Sequence, residues 1–191
     1  MKISWKGDST IQLKEKKSTA ILNPSPHEDL SGYSLVIYDR TQDSLSPHDD
    51  QMTIDWPGEY DVAEFAFKGL ECQQGKQPIT AYVFSGQHGN IAWMGEMQEY
   101  PDKEFIERLG DIHVLIVPVG DGDVMNAKNA FKLVEALEPM VVIPICHGGK
   151  REGLQKFFKE MDVKPPEPQK DYEFKRSDLS GDNLELVLLE S

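Results

Sequence analysis

The sequence has few of the residues that bind metal ions or form disulfide bonds. It contains two cysteines, Cys72 and Cys146, and five histidines among 191 residues. The cysteines form neither a CxxC motif nor a disulfide framework, which favours a protein of the reducing cytoplasm. The histidines form no HxH motif and no pair at four-residue spacing on a helix. Local sequence therefore offers no metal-binding histidine pair.

Positive charge and long apolar runs are also scarce. The chain has 20 basic and 33 acidic residues, a formal net charge of −13. Such a surface repels phosphate backbones and anionic lipids, so we expect neither nucleic acid nor a membrane as a partner. No apolar run approaches the roughly 20 residues of a membrane-spanning helix, and residues 1–8 lack the apolar core of a secretory signal. We expect a cytoplasmic protein with a single domain, 1–191.

The hydrophobic pattern changes between the two halves of the chain. The first half predicts mainly strands, with an apolar run at 34–38 that is typical of a buried strand. The second half alternates buried strands with amphipathic helices that have start and stop signals. The predicted strands are 3–5, 10–13, 19–22, 34–38, 52–54, 60–70, 79–84, 90–94, 112–117, 140–145, 172–175 and 184–189. The predicted helices are 102–109, 126–137 and 150–161. This order favours an α/β fold with two packed sheets and helices outside.

Six segments, taken in order, carry a resemblance to a known family. They are residues 1–13, 34–43, 54–62, 91–97, 109–121 and 141–149, of which DWPGEYDV and LGDIHVLIVPVGD are the most specific parts. Together they resemble the metallo-β-lactamase superfamily, in particular its small bacterial branch similar to ascorbate-6-phosphate lactonase. The resemblance implies a four-layer αββα sandwich with its site at the sheet edges between the two halves.

That family binds one or two metal ions with an H-x-H-x-D-H motif after a buried strand. The metal lowers the pKa of a bound water, which makes hydroxide available near neutral pH. The corresponding positions here are Tyr38, Arg40, Gln42 and Asp43. None of them is a histidine, and the guanidinium of an arginine cannot coordinate a metal.

The resemblance places the other metal-ligand positions on residues that also depart from the family pattern. Asp8 stands where the family has the histidine of a Gly-His-Ser motif, and Cys72 stands where it has a later histidine. Glu96 replaces an aspartate, and the last histidine falls on Cys146 or on its neighbour His147. The resemblance thus implies a family member without the usual set of ligands.

Three functions follow from these residues. The preferred one is a metal-free, non-catalytic protein that binds or scaffolds an unknown protein partner and needs no cofactor. The second is a metal-dependent hydrolase with an atypical mononuclear site, in which Cys72, Cys146 and His147 would suit zinc. The third is a protein that binds a small phosphate or carboxylate anion through Arg40. The hydrolase would draw its ligands from Asp8, Asp43, Cys72, Glu96, Cys146 and His147.

Arg40 has two alternative placements. In the first, its guanidinium supplies the positive charge that a metal would supply and pairs with Asp43, Glu96 and Asp8. Carboxylates buried together without a cation would repel each other and take up protons, which favours this placement. In the second, the loop turns outward and Arg40 is solvated.

Overall fold

The computed structural model describes residues 1–42, 51–75, 77–120, 122–147, 151–179 and 184–191. In chain order its strands are β1 (Lys2–Gly7), β2 (Thr10–Glu15), β3 (Ser18–Leu22), β4 (Leu35–Ile37), β5 (Met52–Ile54), β6 (Gly58–Val62), β7 (Phe65–Gln74), β8 (Gln77–Ser85), β9 (Ile91–Trp93), β10 (Val114–Val119), β11 (Val141–Cys146), β12 (Tyr172–Glu173) and β13 (Glu185–Leu186). Its helices are α1 (Lys103–Leu109), α2 (Ala127–Leu137) and α3 (Glu152–Glu160). A short 3-10 turn covers Arg176–Asp178.

The strands form two mixed sheets. The first has the order β12-β1-β2-β3-β4-β5, and the second has the order β13-β11-β10-β9-β8-β7-β6. In the first sheet, β1, β2 and β3 form an antiparallel meander, whereas β3, β4 and β5 run parallel. In the second, β6 to β9 pair antiparallel, and β9, β10, β11 and β13 run parallel. The predicted α/β sandwich of two sheets is confirmed.

The hydrophobic core lies between the two sheets. Side chains of successive residues in a strand point to opposite faces of the sheet, so every second residue points into the core between the sheets. The first sheet contributes Ile3, Ile11 and Leu13, and the second contributes Tyr82 and Trp93, all fully buried. Strands β10 and β11 are buried at every position because helices cover the face turned away from the core.

The helices contact the second sheet. Helix α1 packs on β7, α2 packs on β10, and α3 packs on β10 and β11. The Asp102 side chain caps the start of α1 by accepting a hydrogen bond from the Phe105 amide at 2.8 Å. Asn126 caps α2 in the same way at the Asn129 amide. Of the helices that the structure describes, none has the length and apolarity needed to cross a bilayer.

A loop covers part of the outer face of the first sheet. The neighbours of Ile21 in β3 and of Val36 in β4 point into the core, so Ile21 and Val36 themselves point to the outer face of the sheet. Both are nevertheless buried. The Tyr33 hydroxyl donates a hydrogen bond to the Gln12 side chain of β2 at 3.2 Å. Segment 23–34 therefore shields part of this face.

One predicted strand is wrong. Residues 60–70 were expected to form a single strand, but the chain reverses within this range and forms the hairpin of β6 and β7. Ala63 and Glu64 form the turn with φ angles of 50° and 68°. Neither is a glycine or an asparagine, which are the usual residues of such turns, so the sequence carries no turn signal here.

Candidate ligand-binding cavity

A cavity of about 280 Å³ opens where the carboxyl ends of parallel strands from both sheets meet. Strands β3 and β4 of the first sheet and β9 and β11 of the second all end there, and this edge is the usual location of ligand sites in parallel sheets. The lining residues are Asp8, Ser9, Thr10, Asn23, Pro24, Ser25, Pro26, Tyr38, Asp39, Arg40, Gln42, Glu96 and His147.

Asp39 lies at the base of the cavity, directly after β4. Its side chain is only 4% exposed. The Asp39 amide donates to the Asn23 side-chain oxygen at 3.0 Å, and the Asp39 carboxylate accepts the Glu96 amide at 2.6 Å. Burial raises the pKa of the Asp39 carboxyl, although Arg40 and the Glu96 amide act in the opposite direction. Asp39 thus joins the loop after β4 to the loop after β9.

Gly95 allows this close approach. Its φ angle is +56°, and a Cβ atom at this position would lie 2.5 Å from Oδ2 of Asp39. Both the left-handed backbone and the adjacent carboxylate therefore favour a residue without a side chain.

Strand β8 of the second sheet holds the same loop from below. The Thr80 amide donates to the Asp39 carbonyl at 2.7 Å. The Tyr82 hydroxyl donates to the Tyr38 carbonyl at 3.0 Å and to the Trp56 carbonyl at 3.3 Å. These contacts fix the backbone that carries Arg40 to the opposite sheet.

Arg40 and Glu96 form an ion pair on the cavity wall. Nη1 of Arg40 lies 2.6 Å from Oε2 of Glu96 and 3.8 Å from Oδ1 of Asp39. The Ser9 hydroxyl donates to the other Glu96 oxygen, Oε1, at 2.7 Å. Burial acts to raise the pKa of Glu96, but the hydrogen bonds from Ser9 and Arg40 outweigh it, and the pKa is lowered. Glu96 is therefore held as a carboxylate.

Three further side chains complete the wall. Nδ1 of His147 lies 3.7 Å from Oε1 of Glu96, and it is buried without a hydrogen-bond partner among the described residues. The Gln42 side chain donates to the Arg40 carbonyl at 2.8 Å, and the Gln42 backbone amide donates to the Asp55 carboxylate at 2.9 Å. Burial raises the pKa of Tyr38, so its hydroxyl keeps its proton.

Most of the residues singled out in the sequence lie together in this cavity. They are Asp8, Tyr38, Arg40, Gln42, Glu96 and His147. Of the three partners predicted for Arg40 in its first placement, the structure shows the ion pair to Glu96, and the Arg40 side chain is 29% exposed. Asp43 lies outside the described residues.

Cys72 is not part of this group, and Cys146 packs into the core. Cys72 lies on β7 beside a different cavity, whereas Cys146 is the buried last residue of β11. Strands β7 and β11 are four positions apart in the second sheet, which separates them by roughly 19 Å. The expected zinc set of Cys72, Cys146 and His147 is therefore wrong. Over the described ranges, no three His, Cys, Asp or Glu side chains are grouped to hold a metal ion.

Sequence reasoning missed Asp39, Asn23 and Ser9 as cavity residues. Asp39 had a usable signal, since it is the first acidic residue after the buried run 34–38. Asn23 also had one, because it follows β3, precedes a proline and has a left-handed φ of 44°. Ser9 stands at the serine of the Gly-His-Ser motif, but its contact with Glu96 could not be foreseen, because Glu96 is 87 residues away.

The two packed sheets, with helices outside and a cavity at the strand ends, form an α/β sandwich. Residues 2–146 match a family model described as a beta-lactamase superfamily domain. The chain therefore belongs to the metallo-β-lactamase superfamily, as the sequence resemblance indicated.

The relatives of this chain extend over different lengths. A curated metal-dependent hydrolase of Methanopyrus kandleri is 32% identical over 121 residues, which are 63% of this chain and 46% of that protein. The match thus spans about half the length of this curated relative. A candidate Zn-dependent hydrolase from Thermotoga maritima has a TM-score of 0.78 at 23% identity, covering 98% of this chain and 97% of its own. An isothiocyanate hydrolase from Delia radicum gut bacteria has a TM-score of 0.64 at 12% identity, covering 100% and 96%. These two likenesses show the fold.

As they stand in this cavity, the carboxylates of Glu96 and Asp39 do not fit the metal that the family implies. Both oxygens of Glu96 are engaged, one by Ser9 and one by Arg40. Oδ2 of Asp39 already accepts the Glu96 amide. A metal ion at these carboxylates would also meet the permanent charge of Arg40 at close range, since the guanidinium does not deprotonate.

Proposed function

We propose that this chain is a metal-independent binding member of the metallo-β-lactamase superfamily, not a hydrolase. The observation that carries the proposal is the contact of 2.6 Å between Nη1 of Arg40 and Oε2 of Glu96. Arg40 stands at a position where the family resemblance expects a metal-binding histidine. Its guanidinium neutralises Glu96 and faces Asp39, so it supplies the positive charge that a metal ion would supply to these carboxylates.

In this proposal the ligand binds in the cavity at the strand ends. Most residues that line the cavity have polar side chains, and hydrogen bonds from the second sheet hold the loop at its base. A pre-formed polar recess of this kind suits a small ligand better than a protein surface. In a less favoured form of the same proposal, the chain is a scaffold that binds a protein partner on its outer surface.

Metal-dependent hydrolysis is the second candidate function. It is favoured by the name of the Methanopyrus kandleri relative and by His147, whose buried Nδ1 has no hydrogen-bond partner in the described part of the chain. An imidazole nitrogen without a partner is a potential metal ligand. Glu96 would have to exchange Arg40 for a metal ion in this case.

Metal analysis separates the two candidates. The protein is purified without chelator from cells supplied with zinc, manganese and iron, and its metal content is measured by mass spectrometry. We expect less than about one metal ion per ten chains, because Arg40 occupies the carboxylates that a metal would need.

A near-stoichiometric metal content that disappears in both Glu96→Gln and His147→Ala would contradict the proposal. Lys103→Gln is the matched control, since Lys103 is 90% exposed on α1 and does not line the cavity. Metal content that is equal in all four proteins comes from sites outside the cavity and leaves the proposal in place.

A further inference from the structure

Three of the side chains that line the cavity, those of Glu96, Asp39 and Asn23, accept hydrogen bonds from the protein itself. Glu96 accepts from Ser9 and Arg40 through its two oxygens. Oδ2 of Asp39 accepts the Glu96 amide, and the Asn23 side-chain oxygen accepts the Asp39 amide. Few acceptors on these residues are left for a ligand.

Several donors, in contrast, are left over. An arginine carries five N–H donors, and Arg40 uses Nη1 for Glu96. Within the described ranges, Nε and Nη2 of Arg40 have no partner, and neither does the Tyr38 hydroxyl, whereas the Asn23 side chain is engaged with Asp39. The guanidinium edge and the Tyr38 hydroxyl therefore suit a ligand that accepts hydrogen bonds.

The charged side chains of the cavity restrict the charge that the ligand can carry. Asp8, Asp39 and Glu96 all line the cavity, and Arg40 provides its permanent positive charge. A phosphate monoester carries about −1.5 to −2 charges at neutral pH and would be repelled more strongly than a carboxylate of charge −1. A planar carboxylate also matches the Nε and Nη2 edge of a guanidinium, with which it forms two parallel hydrogen bonds.

We propose that this cavity binds a small organic monocarboxylate through the free Nε and Nη2 edge of Arg40, with the Tyr38 hydroxyl as a further donor. The inference rests on the proposed metal-independent function and names its ligand class. A volume of about 280 Å³ restricts the ligand to a small molecule, since it lies just below the range of roughly 300–1,000 Å³ that is usual for small-molecule sites. Glu96 acts as a positioning residue, because its contact with Nη1 of Arg40 leaves the opposite edge of the guanidinium free.

Calorimetric titration and thermal denaturation test this inference with acetate, lactate and gluconate. Acetamide and lactamide serve as neutral counterparts of the first two acids, and inorganic phosphate serves as the tetrahedral anion. We expect at least one carboxylate to bind and to raise the melting temperature, while its amide and phosphate bind at least tenfold more weakly.

Variants assign the binding to Arg40. Arg40→Gln should raise the dissociation constant at least tenfold, and Arg40→Lys should give an intermediate value, because lysine keeps the charge but lacks the planar fork. Tyr38→Phe should raise it by a smaller factor. Arg108→Gln is the matched control, since Arg108 is exposed at the end of α1 and does not line this cavity. Circular dichroism establishes that each variant is folded, and Arg40→Lys replaces Arg40→Gln if the latter is not.

Three outcomes would overturn the inference: no carboxylate of the series binds, phosphate binds more tightly than every carboxylate, or the affinity survives the substitutions of Arg40. If any of these occurs in protein without bound metal, the ligand class is wrong and the proposed function stands. If the protein contains stoichiometric metal in the cavity, the proposed function fails and this inference fails with it.

Discussion

At the scale of single residues, Gly95 controls the distance between the two loops that form the cavity. Gly95→Ala would place a Cβ atom against Oδ2 of Asp39 at a φ angle of +56°. We expect a loss of roughly 2–5 kcal/mol in the free energy of unfolding, from left-handed backbone strain and from overpacking. Urea denaturation measures this loss.

Gly75 provides the matched control for Gly95. Its φ angle is +57°, and a Cβ atom there would have no neighbour within 4 Å. Gly75→Ala should therefore lose only the backbone term, about 1–2 kcal/mol. Equal losses in the two variants would mean that the contact with Asp39 does not limit residue 95.

Residue types identified the cavity only in part. The departures from the family motif at Tyr38, Arg40 and Gln42 could be read directly, because the motif fixes their spacing. The role of Asp39 could not, because its partner, the Glu96 amide, is a backbone group that no residue pattern marks. Contacts of backbone with distant side chains depend on the packed sheets and leave no local signature.

At the scale of secondary-structure elements, β8 connects the second sheet to the end of β4 through Tyr82. Tyr82 is fully buried, and its hydroxyl donates to the carbonyls of Tyr38 and Trp56. Tyr82→Phe leaves both carbonyls without this donor and should lower the free energy of unfolding by about 1–3 kcal/mol. Chemical denaturation checks the value.

Tyr60→Phe is the control for this change. The Tyr60 hydroxyl also donates to the Trp56 carbonyl, at 2.8 Å, but from a more exposed position. Water can replace this hydrogen bond, so we expect a change within about 0.5 kcal/mol. A loss as large as that of Tyr82→Phe would argue against burial as the cause.

The elements with strong periodicity were predictable and the short turns were not. Helix α2 and the buried strands β10 and β11 follow their hydrophobic patterns closely. The hairpin of β6 and β7 escaped prediction because Ala63 and Glu64 form its turn without glycine. There the pairing of two strands outweighs the local preference of the turn residues.

At the scale of the whole molecule, one core joins both sheets. The cluster of buried apolar residues includes Trp5 of β1 and Trp93 of β9. Neither sheet can lose its partner without exposing this core to water, so we expect a single cooperative unfolding transition, consistent with the predicted single domain. The fold class followed from the order of strands and helices, whereas the pairing of the sheets around the cavity required the structure.

Tryptophan fluorescence and far-ultraviolet circular dichroism test this cooperativity in urea. Both signals should give the same midpoint and the same slope, because the two buried tryptophans report on different sheets and the dichroism reports on the backbone. Two separated midpoints would divide the chain into independently folding parts.

The ion pair of Arg40 and Glu96 has a consequence for a cell that runs short of zinc. An enzyme that depends on a metal ion loses its central charge when chelators or rival proteins remove that ion. The charge of Arg40 belongs to the side chain itself, so a chelator cannot remove it. This cavity should therefore keep its electrostatic character under nutritional stress that would inactivate its metal-dependent relatives.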